Sequence, residues 1–161
     1  MTTDDSSEGA AISIQDYNPL VVNHCTFFGN DSTVYSSIAH RGDDSEFDLA
    51  NSIFWRKDGA QSTPQVPVSA IVEYSVVSAE DNAIFGPGII REDPRIRAPE
   101  NFDYRLDHDS PCIDAGDSRR SPDVDIVGSP RVDIVESPNT GVGPPWSDLG
   151  AYEFVGTGGM R

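Results

Sequence analysis

Short strand-like segments recur in the first half of this chain, and their spacing constrains the fold more than any other feature. Residues 23–28 (NHCTFF) and 51–55 (NSIFW) share a polar, small, apolar pattern, and their leading asparagines are 28 residues apart. Residues 73–77 (EYSVV) repeat this pattern more loosely after another 22 residues. Periods of about 20 to 30 residues built from short strands and turns are typical of solenoids, in which each unit buries its apolar face against its neighbours.

The remaining stretches of the first half also favour an all-β fold. Strand-like stretches precede the repeated units, at residues 10–14, 34–39 and 66–72. Turns rich in Gly, Asn and Asp lie at residues 29–32, 41–45 and 57–59. Such turn residues separate strands because they accept tight backbone conformations. No helical periodicity of convincing length occurs. We therefore predict a parallel β-helix of about three coils.

Alternate side chains of the stacked strands are expected to point into a narrow core. The candidates for inward positions are Ile12, Ile14, Val22, Cys25, Phe27, Ile38, Leu49, Ile53, Trp55, Ile71 and Val76. Asparagines that recur at one register can hydrogen-bond along the stack. We therefore predict a structural contact between Asn23 and Asn51.

Composition narrows the choice of partners. The 27 acidic residues outnumber the 11 Lys and Arg residues, and the net charge is −16. This charge repels phosphate backbones and anionic lipids, so we expect no binding to nucleic acid. No apolar run reaches the length of a membrane-spanning helix, and residues 1–8 lack the features of a signal peptide. We expect no membrane insertion. The 37% of hydrophobic residues suits a thin, elongated core.

The second half carries blocks that are specific to one architecture. Residues 110–117 (SPCIDAGD) follow residues 103–106 (DYRL), and residues 148–154 (DLGAYEF) come near the end. In this order they resemble the C-terminal signature of right-handed parallel β-helix proteins of the choice-of-anchor Q domain type, in the pectate-lyase-like superfamily. The chain departs from that pattern at Arg95, where an apolar residue is usual, and in an insertion-like stretch between positions 119 and 146.

The resemblance implies a domain layout and a location. The coils are expected over residues 9–85 and an irregular capping segment over 86–155, with tails at 1–8 and 156–161. The family members are secreted or displayed at the cell surface, so the chain is expected to be the C-terminal part of a longer exported protein. The first coil would begin with a bare strand edge, which predicts self-association or pairing with another surface protein there.

Three classes of function are compatible with these features. A non-catalytic structural or adhesive surface domain comes first. A polysaccharide-binding module comes second, with Tyr35, Trp55 and Tyr74 as stacking platforms if they face outward. A polysaccharide lyase or glycoside hydrolase comes last, because the sequence lacks the catalytic blocks of hydrolases with this fold. Aromatic side chains along one outer face would favour glycan binding, and inward ones would favour a scaffold.

The sequence indicates no cofactor other than a candidate calcium ion. Asp114, Asp117, Asp123 and Asp125 offer clustered oxygen ligands on irregular backbone, although their spacing fits no EF-hand loop. Alternatively, these aspartates accept hydrogen bonds from their own turns. Cys25 and Cys112 are the only cysteines, and buried free thiols are expected. A disulfide between them would be compatible with export.

Overall fold

The protein is all-β. The computed structural model describes residues 11–15, 18–30, 37–41, 46–56, 66, 70–78 and 84–156, and this part of the chain contains no α-helix. The strands are β1 (Ile12–Gln15), β2 (Leu20–Asn23), β3 (Thr26–Phe28), β4 (Ile38–Arg41), β5 (Phe47–Ala50), β6 (Ile53–Trp55), β7 (Ile71–Glu73), β8 (Ile96–Ala98) and β9 (Asp103–Leu106). Two 3-10 helices span Pro99–Asn101 and Ser118–Arg120. The predicted fold class is confirmed at this level.

The strands of the first half pair in parallel, each with its counterpart in the next unit. Strand β1 pairs with β4, β3 pairs with β6, and β2, β5 and β7 form a three-stranded sheet. Isolated parallel bridges extend the β3–β6 pair from Ile53 to Val76 and from Val76 to Ile90. Neighbouring strands in each of these small sheets therefore come from successive sequence units.

The register differs by one residue from the sequence pattern. Asn23 lies opposite Ala50, so the position equivalent to Asn51 is His24, and the next equivalent position is Tyr74. All three take positive φ angles, of 48°, 50° and 43°. A shared left-handed corner therefore sets the alignment, whatever side chain the corner carries. The predicted contact between Asn23 and Asn51 is still confirmed, because Asn51 Nδ2 donates to Asn23 Oδ1 at 3.1 Å.

The buried apolar side chains form two clusters. The first cluster contains Val22, Ile38, Phe47, Leu49, Phe54, Val72, Val77 and Ile84. Phe27 stacks on Phe54 within it, with ring centroids 4.7 Å apart. The second cluster contains Ile53, Val76, Leu106, Cys112, Ile113, Ala115, Leu149 and Phe154. Ile53 and Val76 therefore pack against the second half of the chain.

Most of the predicted inward positions are buried or partly buried, but Ile71 is exposed, and Trp55 lies beside Phe28 on the opposite face from Phe27 and Phe54. Val22, Ile38, Leu49, Ile53 and Val76 are buried, and Ile12, Cys25, Phe27 and Trp55 are partly buried against the two clusters. Ile14 is half-buried. Ile71 is 53% exposed, and its neighbour Val72 is buried instead. Because strand side chains alternate between faces, a shift of one residue exchanges the inner and outer positions.

The parallel strands β1–β7 are here called the strand stack. Residues 84–156, here called the C-terminal segment, contact this stack. Antiparallel strands β8 and β9 and the two 3-10 helices are its regular elements. Gly150 N donates to Asn51 O at 2.8 Å, and Ala151 N donates to Thr26 Oγ1 at 3.0 Å. Arg120 pairs with both Asp48 and Glu73. The segment thus contacts all three successive units of the parallel strands. The predicted domain boundaries at 8/9, 85/86 and 155/156 stay predictions.

The C-terminal segment contains a tandem repeat with two different environments. Residues 124–131 (VDIVGSPR) and 132–139 (VDIVESPN) are nearly identical. In the first copy Asp125 is buried and Ile126 is 69% exposed. In the second copy Asp133 is exposed and Ile134 packs against the second apolar cluster. Equal local sequence gives unequal burial because each copy meets different neighbours.

This repeat provides a matched pair of variants. Asp125 accepts hydrogen bonds from Val127 N, Ser129 N and Glu153 N at 2.7–3.0 Å. We expect Asp125→Ala to lower the free energy of unfolding by about 3 kcal/mol, because backbone donors lose a charged acceptor. Asp133→Ala, at the equivalent exposed position, is expected to change it by less than about 0.5 kcal/mol. Urea denaturation measures both values, and equal losses would contradict the assignment.

Candidate functional site

The four aspartates of the predicted calcium site do not converge in the structure. Asp123 is exposed, and Asp117 caps the second 3-10 helix and pairs with Arg119 at 2.7 Å. Asp125 accepts the three backbone hydrogen bonds described above. In the described residues, one group of three or more His, Cys, Asp or Glu side chains has its ligand atoms within 4.8 Å of one another. This group comprises Asp107, His108 and Asp109. The alternative reading is confirmed for Asp117 and Asp125, which accept hydrogen bonds from their own turns, while calcium binding stays a prediction.

Asp114 belongs instead to a group of buried acids. Its Oδ2 accepts a hydrogen bond from Ile134 N at 3.1 Å, and its buried Oδ1 has no hydrogen-bond partner within the described part of the chain. Burial raises the pKa of Asp114 to about 6. Burial and the neighbouring charge of Glu153 also raise the pKa of Asp148. Asp117 behaves in the opposite way, because its hydrogen bond from Arg119 lowers the pKa of that carboxyl group.

Buried acids also organise the backbone near the end of the chain. Asp148 accepts from Asp114 N at 2.8 Å and from Phe154 N at 2.5 Å. Glu153 accepts from Val132 N at 2.9 Å and from Arg131 Nη1 at 2.7 Å. These carboxylates satisfy backbone groups in a region with little regular secondary structure. Their arrangement therefore supports folding of the segment.

His24 joins the strand stack to the C-terminal segment. Its Nδ1 lies 3.3 Å from Gly150 O, and its Nε2 lies 2.7 Å from Ser121 Oγ. Burial, with a smaller contribution from the charge of Arg131, lowers the pKa of His24 to about 4. The imidazole is therefore neutral at pH 7. With Nδ1 donating to the carbonyl, Nε2 is left to accept from the serine hydroxyl.

The outer face of β3 and β6 forms a different kind of site. Phe28 and Trp55 are register neighbours in these parallel strands, and both side chains are half-buried. Phe28 lines two adjacent cavities, which together are called the aromatic groove. The first, called the charged cavity, measures about 210 Å³ and is lined by Phe28, Trp55, Asp93, Arg95, Ile96, Arg97, Pro99 and Glu100.

The second cavity has a different lining. It measures about 300 Å³ and is called the uncharged cavity, because none of the described residues that line it is charged. It is lined by Thr26, Phe28, Asn30, Tyr104, Ile126, Ala151 and Tyr152. Strand β9 positions Tyr104 so that its ring centroid lies 5.9 Å from that of Phe28. Aromatic faces beside polar groups are typical of sites that orient small ligands.

The three aromatic residues predicted as stacking platforms have different outcomes. Trp55 lines the aromatic groove. Tyr74 packs against the second apolar cluster, and its ring lies so close to Gly88 that a Cβ atom there would clash with it. Tyr35 lies outside the described residues.

Sequence reasoning missed Phe28, Tyr104 and Tyr152 as groove residues. Alternation within β3 carried a signal for Phe28, because an inward Phe27 places its neighbour on the outer face. The two tyrosines carried no such signal, since they come from the C-terminal segment.

The cysteines are free thiols, as expected. Cys25 is partly buried against the first apolar cluster, and Cys112 is fully buried in the second. Burial raises the pKa of the Cys112 thiol to about 12, so this group stays protonated and unreactive at neutral pH.

A scan of protein-family models, a search of curated proteins and a search of solved structures each found no match to this chain. Among the residues that the structure describes, no helix has the length and apolar character needed to cross a membrane.

The environment of His24 predicts a specific pH dependence. The unfolded imidazole protonates below pH 6.5 and the folded one only near pH 4, so stability contributed by the neutral form is lost as the pH falls through this interval. Relative to His24→Asn, which suits the left-handed corner, we expect wild-type protein to lose about 3 kcal/mol between pH 7 and pH 4. The comparison cancels the titration of Asp114 and other shared groups.

Urea denaturation across this pH range measures the difference. His108 is exposed, so His108→Asn is a suitable control and is not expected to reproduce it. Parallel stability curves for the wild-type protein and His24→Asn would show that folding does not lower the pKa of His24.

Proposed function

We propose that the chain is a short right-handed parallel β-helix that serves as a non-catalytic polysaccharide-binding domain of a secreted or cell-surface protein. The observation that carries this proposal is the aromatic groove, where Trp55, Phe28, Tyr104 and Tyr152 line adjoining cavities on one outer face. Sugar rings have apolar faces edged by hydroxyl groups. They therefore suit half-buried aromatic rings that lie beside hydrogen-bonding groups.

Three features support the β-helix part of the proposal. Each parallel pair joins strands from successive sequence units, as coils of a β-helix require. The corner residues His24, Asn51 and Tyr74 share one backbone conformation, which is typical of a repeated turn. The C-terminal blocks resemble those of choice-of-anchor Q domain proteins, and this family would also account for export.

A binding role fits the carboxylates better than a catalytic one does. The buried acids Asp125, Asp148 and Glu153 accept backbone hydrogen bonds, so their lone pairs serve the fold. In the charged cavity, Arg95 forms an ion pair with Asp109 and also donates to its backbone carbonyl at 3.0 Å. These hydrogen bonds and this ion pair occupy the charged groups on which proton transfer to a ligand would depend.

An adhesive role toward another surface protein is the second candidate. The side chains of Ile126, Val127 and Val135 are 67–88% exposed on the C-terminal segment. Apolar groups at this exposure favour contact with a protein partner when they form a continuous patch. Pairing through the strand edge of the first unit would serve the same purpose.

Affinity electrophoresis tests the two candidates. Purified protein would be run through gels that contain single polysaccharides, with and without calcium. We expect one polymer to retard the wild-type protein, and Trp55→Ala and Phe28→Ala to weaken this binding about tenfold each through lost stacking.

The controls separate binding from folding. Phe85 is 79% exposed and lies outside the groove, so Phe85→Ala should bind like the wild-type protein. Thermal unfolding would establish that each variant is folded. If folded wild-type protein moves freely through every gel, polysaccharide binding is rejected and the adhesive role becomes the leading proposal. Retardation that depends on calcium would support the candidate calcium ion.

A further inference from the structure

The described residues that line the aromatic groove include no excess of acidic side chains, on a chain whose net charge is −16. The described lining of the charged cavity contains two acids, Asp93 and Glu100, and two arginines, Arg95 and Arg97. Arg95 is also paired with Asp109, so this cavity offers an anionic ligand no surplus of positive charge. Within the described part of the chain, the uncharged cavity is lined by neutral side chains alone. A strongly acidic surface keeps anionic ligands at a distance, while a neutral lining exerts no attraction that would overcome this repulsion.

From this contrast we infer that the uncharged cavity selects a neutral glycan and excludes anionic ones. This inference rests on the proposed function, because it names the ligand class of the same groove. The cavity volume of about 300 Å³ lies at the lower end of the range for small-molecule sites, so it holds a short segment of the polymer.

The cavity supplies hydrogen-bonding groups that suit sugar hydroxyls. The Tyr104 and Tyr152 hydroxyls and the Asn30 amide line it, and none of them forms a side-chain hydrogen bond with the described residues. Thr26 Oγ1 accepts from Ala151 N, so the hydroxyl proton of Thr26 remains available to donate. Hydroxyl and amide groups both donate and accept, as sugar hydroxyls do. Phe28 and the tyrosine rings supply the apolar faces.

A nearby cation is already neutralised within the protein. Arg105 follows Tyr104 in β9, and its Nε and Nη2 donate to the two carboxylate oxygens of Asp103 at 2.6 and 2.7 Å. This bidentate pair occupies the guanidinium edge that would otherwise bind a carboxylate or sulfate. An anionic sugar in the cavity would therefore lose hydration without gaining an ion pair.

The test compares neutral and anionic polymers under the same conditions. Wild-type protein would be run through gels that contain neutral glucans, mannans or galactans and through gels that contain polygalacturonate or a sulfated glycan, each at low and high salt. We expect retardation by a neutral polymer, unchanged by salt because no charge pair forms. The anionic polymers are expected to leave the mobility unchanged.

Two variants place the ligand in the uncharged cavity. Tyr152→Phe keeps the ring and removes one hydroxyl, so it is expected to weaken binding about three- to tenfold. Asn30→Ala is expected to act similarly. Tyr74→Phe removes a hydroxyl outside the groove and serves as the matched control. Its binding should equal that of the wild-type protein.

The outcomes separate this inference from the proposed function. If no polymer retards the protein, both are rejected. If a polyanion binds in a salt-sensitive manner and neutral polymers do not, polysaccharide binding stands and the selection of neutral glycans is overturned. If neutral binding is lost in Trp55→Ala but unaffected by Tyr152→Phe and Asn30→Ala, the ligand occupies the charged cavity alone and the inference is also overturned.

Discussion

The buried side chain of Asn51 joins two strand rows to the C-terminal segment. Its Nδ2 donates to Asn23 Oδ1 and to Asp117 O, and its Oδ1 accepts from Asp117 N at 2.7 Å. A buried amide is stable only when its donors and acceptor are satisfied, so this side chain requires all three elements in one arrangement. The second apolar cluster and the aromatic groove both form along the boundary that these bonds hold in place.

Acidic residues have two separate consequences for this protein. On the surface they give the chain a strong negative charge, which limits the ligands that approach it. In the C-terminal segment, buried carboxylates accept backbone hydrogen bonds that strands or helices would otherwise satisfy. The raised pKa values of Asp114 and Asp148 show that burial acts against ionisation of these two groups. Their titration opposes that of His24, because lower pH favours the protonated acids and disfavours the buried neutral imidazole.

The candidate site could be predicted only in part from the sequence. Trp55 was identifiable because it ends a strand-like segment, and Phe28 could have been inferred from alternation. Tyr104 and Tyr152 lie more than 70 residues from Phe28 in the chain, and only the docking of the C-terminal segment brings them together. Tyr74 was a candidate for stacking on a glycan because of its place in the repeated pattern. In the structure it packs against the second cluster and Gly88 instead, away from the groove.

The sequence by itself determined the all-β class, the unit length to within one residue and most core positions, because short-range alternation and turn residues act locally. It also predicted the contact between Asn23 and Asn51. Only the tertiary structure decided the register. The left-handed corners at His24, Asn51 and Tyr74 align one residue away from the sequence pattern, and Val72 is buried where Ile71 was predicted. It also decided which copy of the tandem repeat buries its aspartate, because two nearly identical octapeptides differ in their surroundings and share their local preferences.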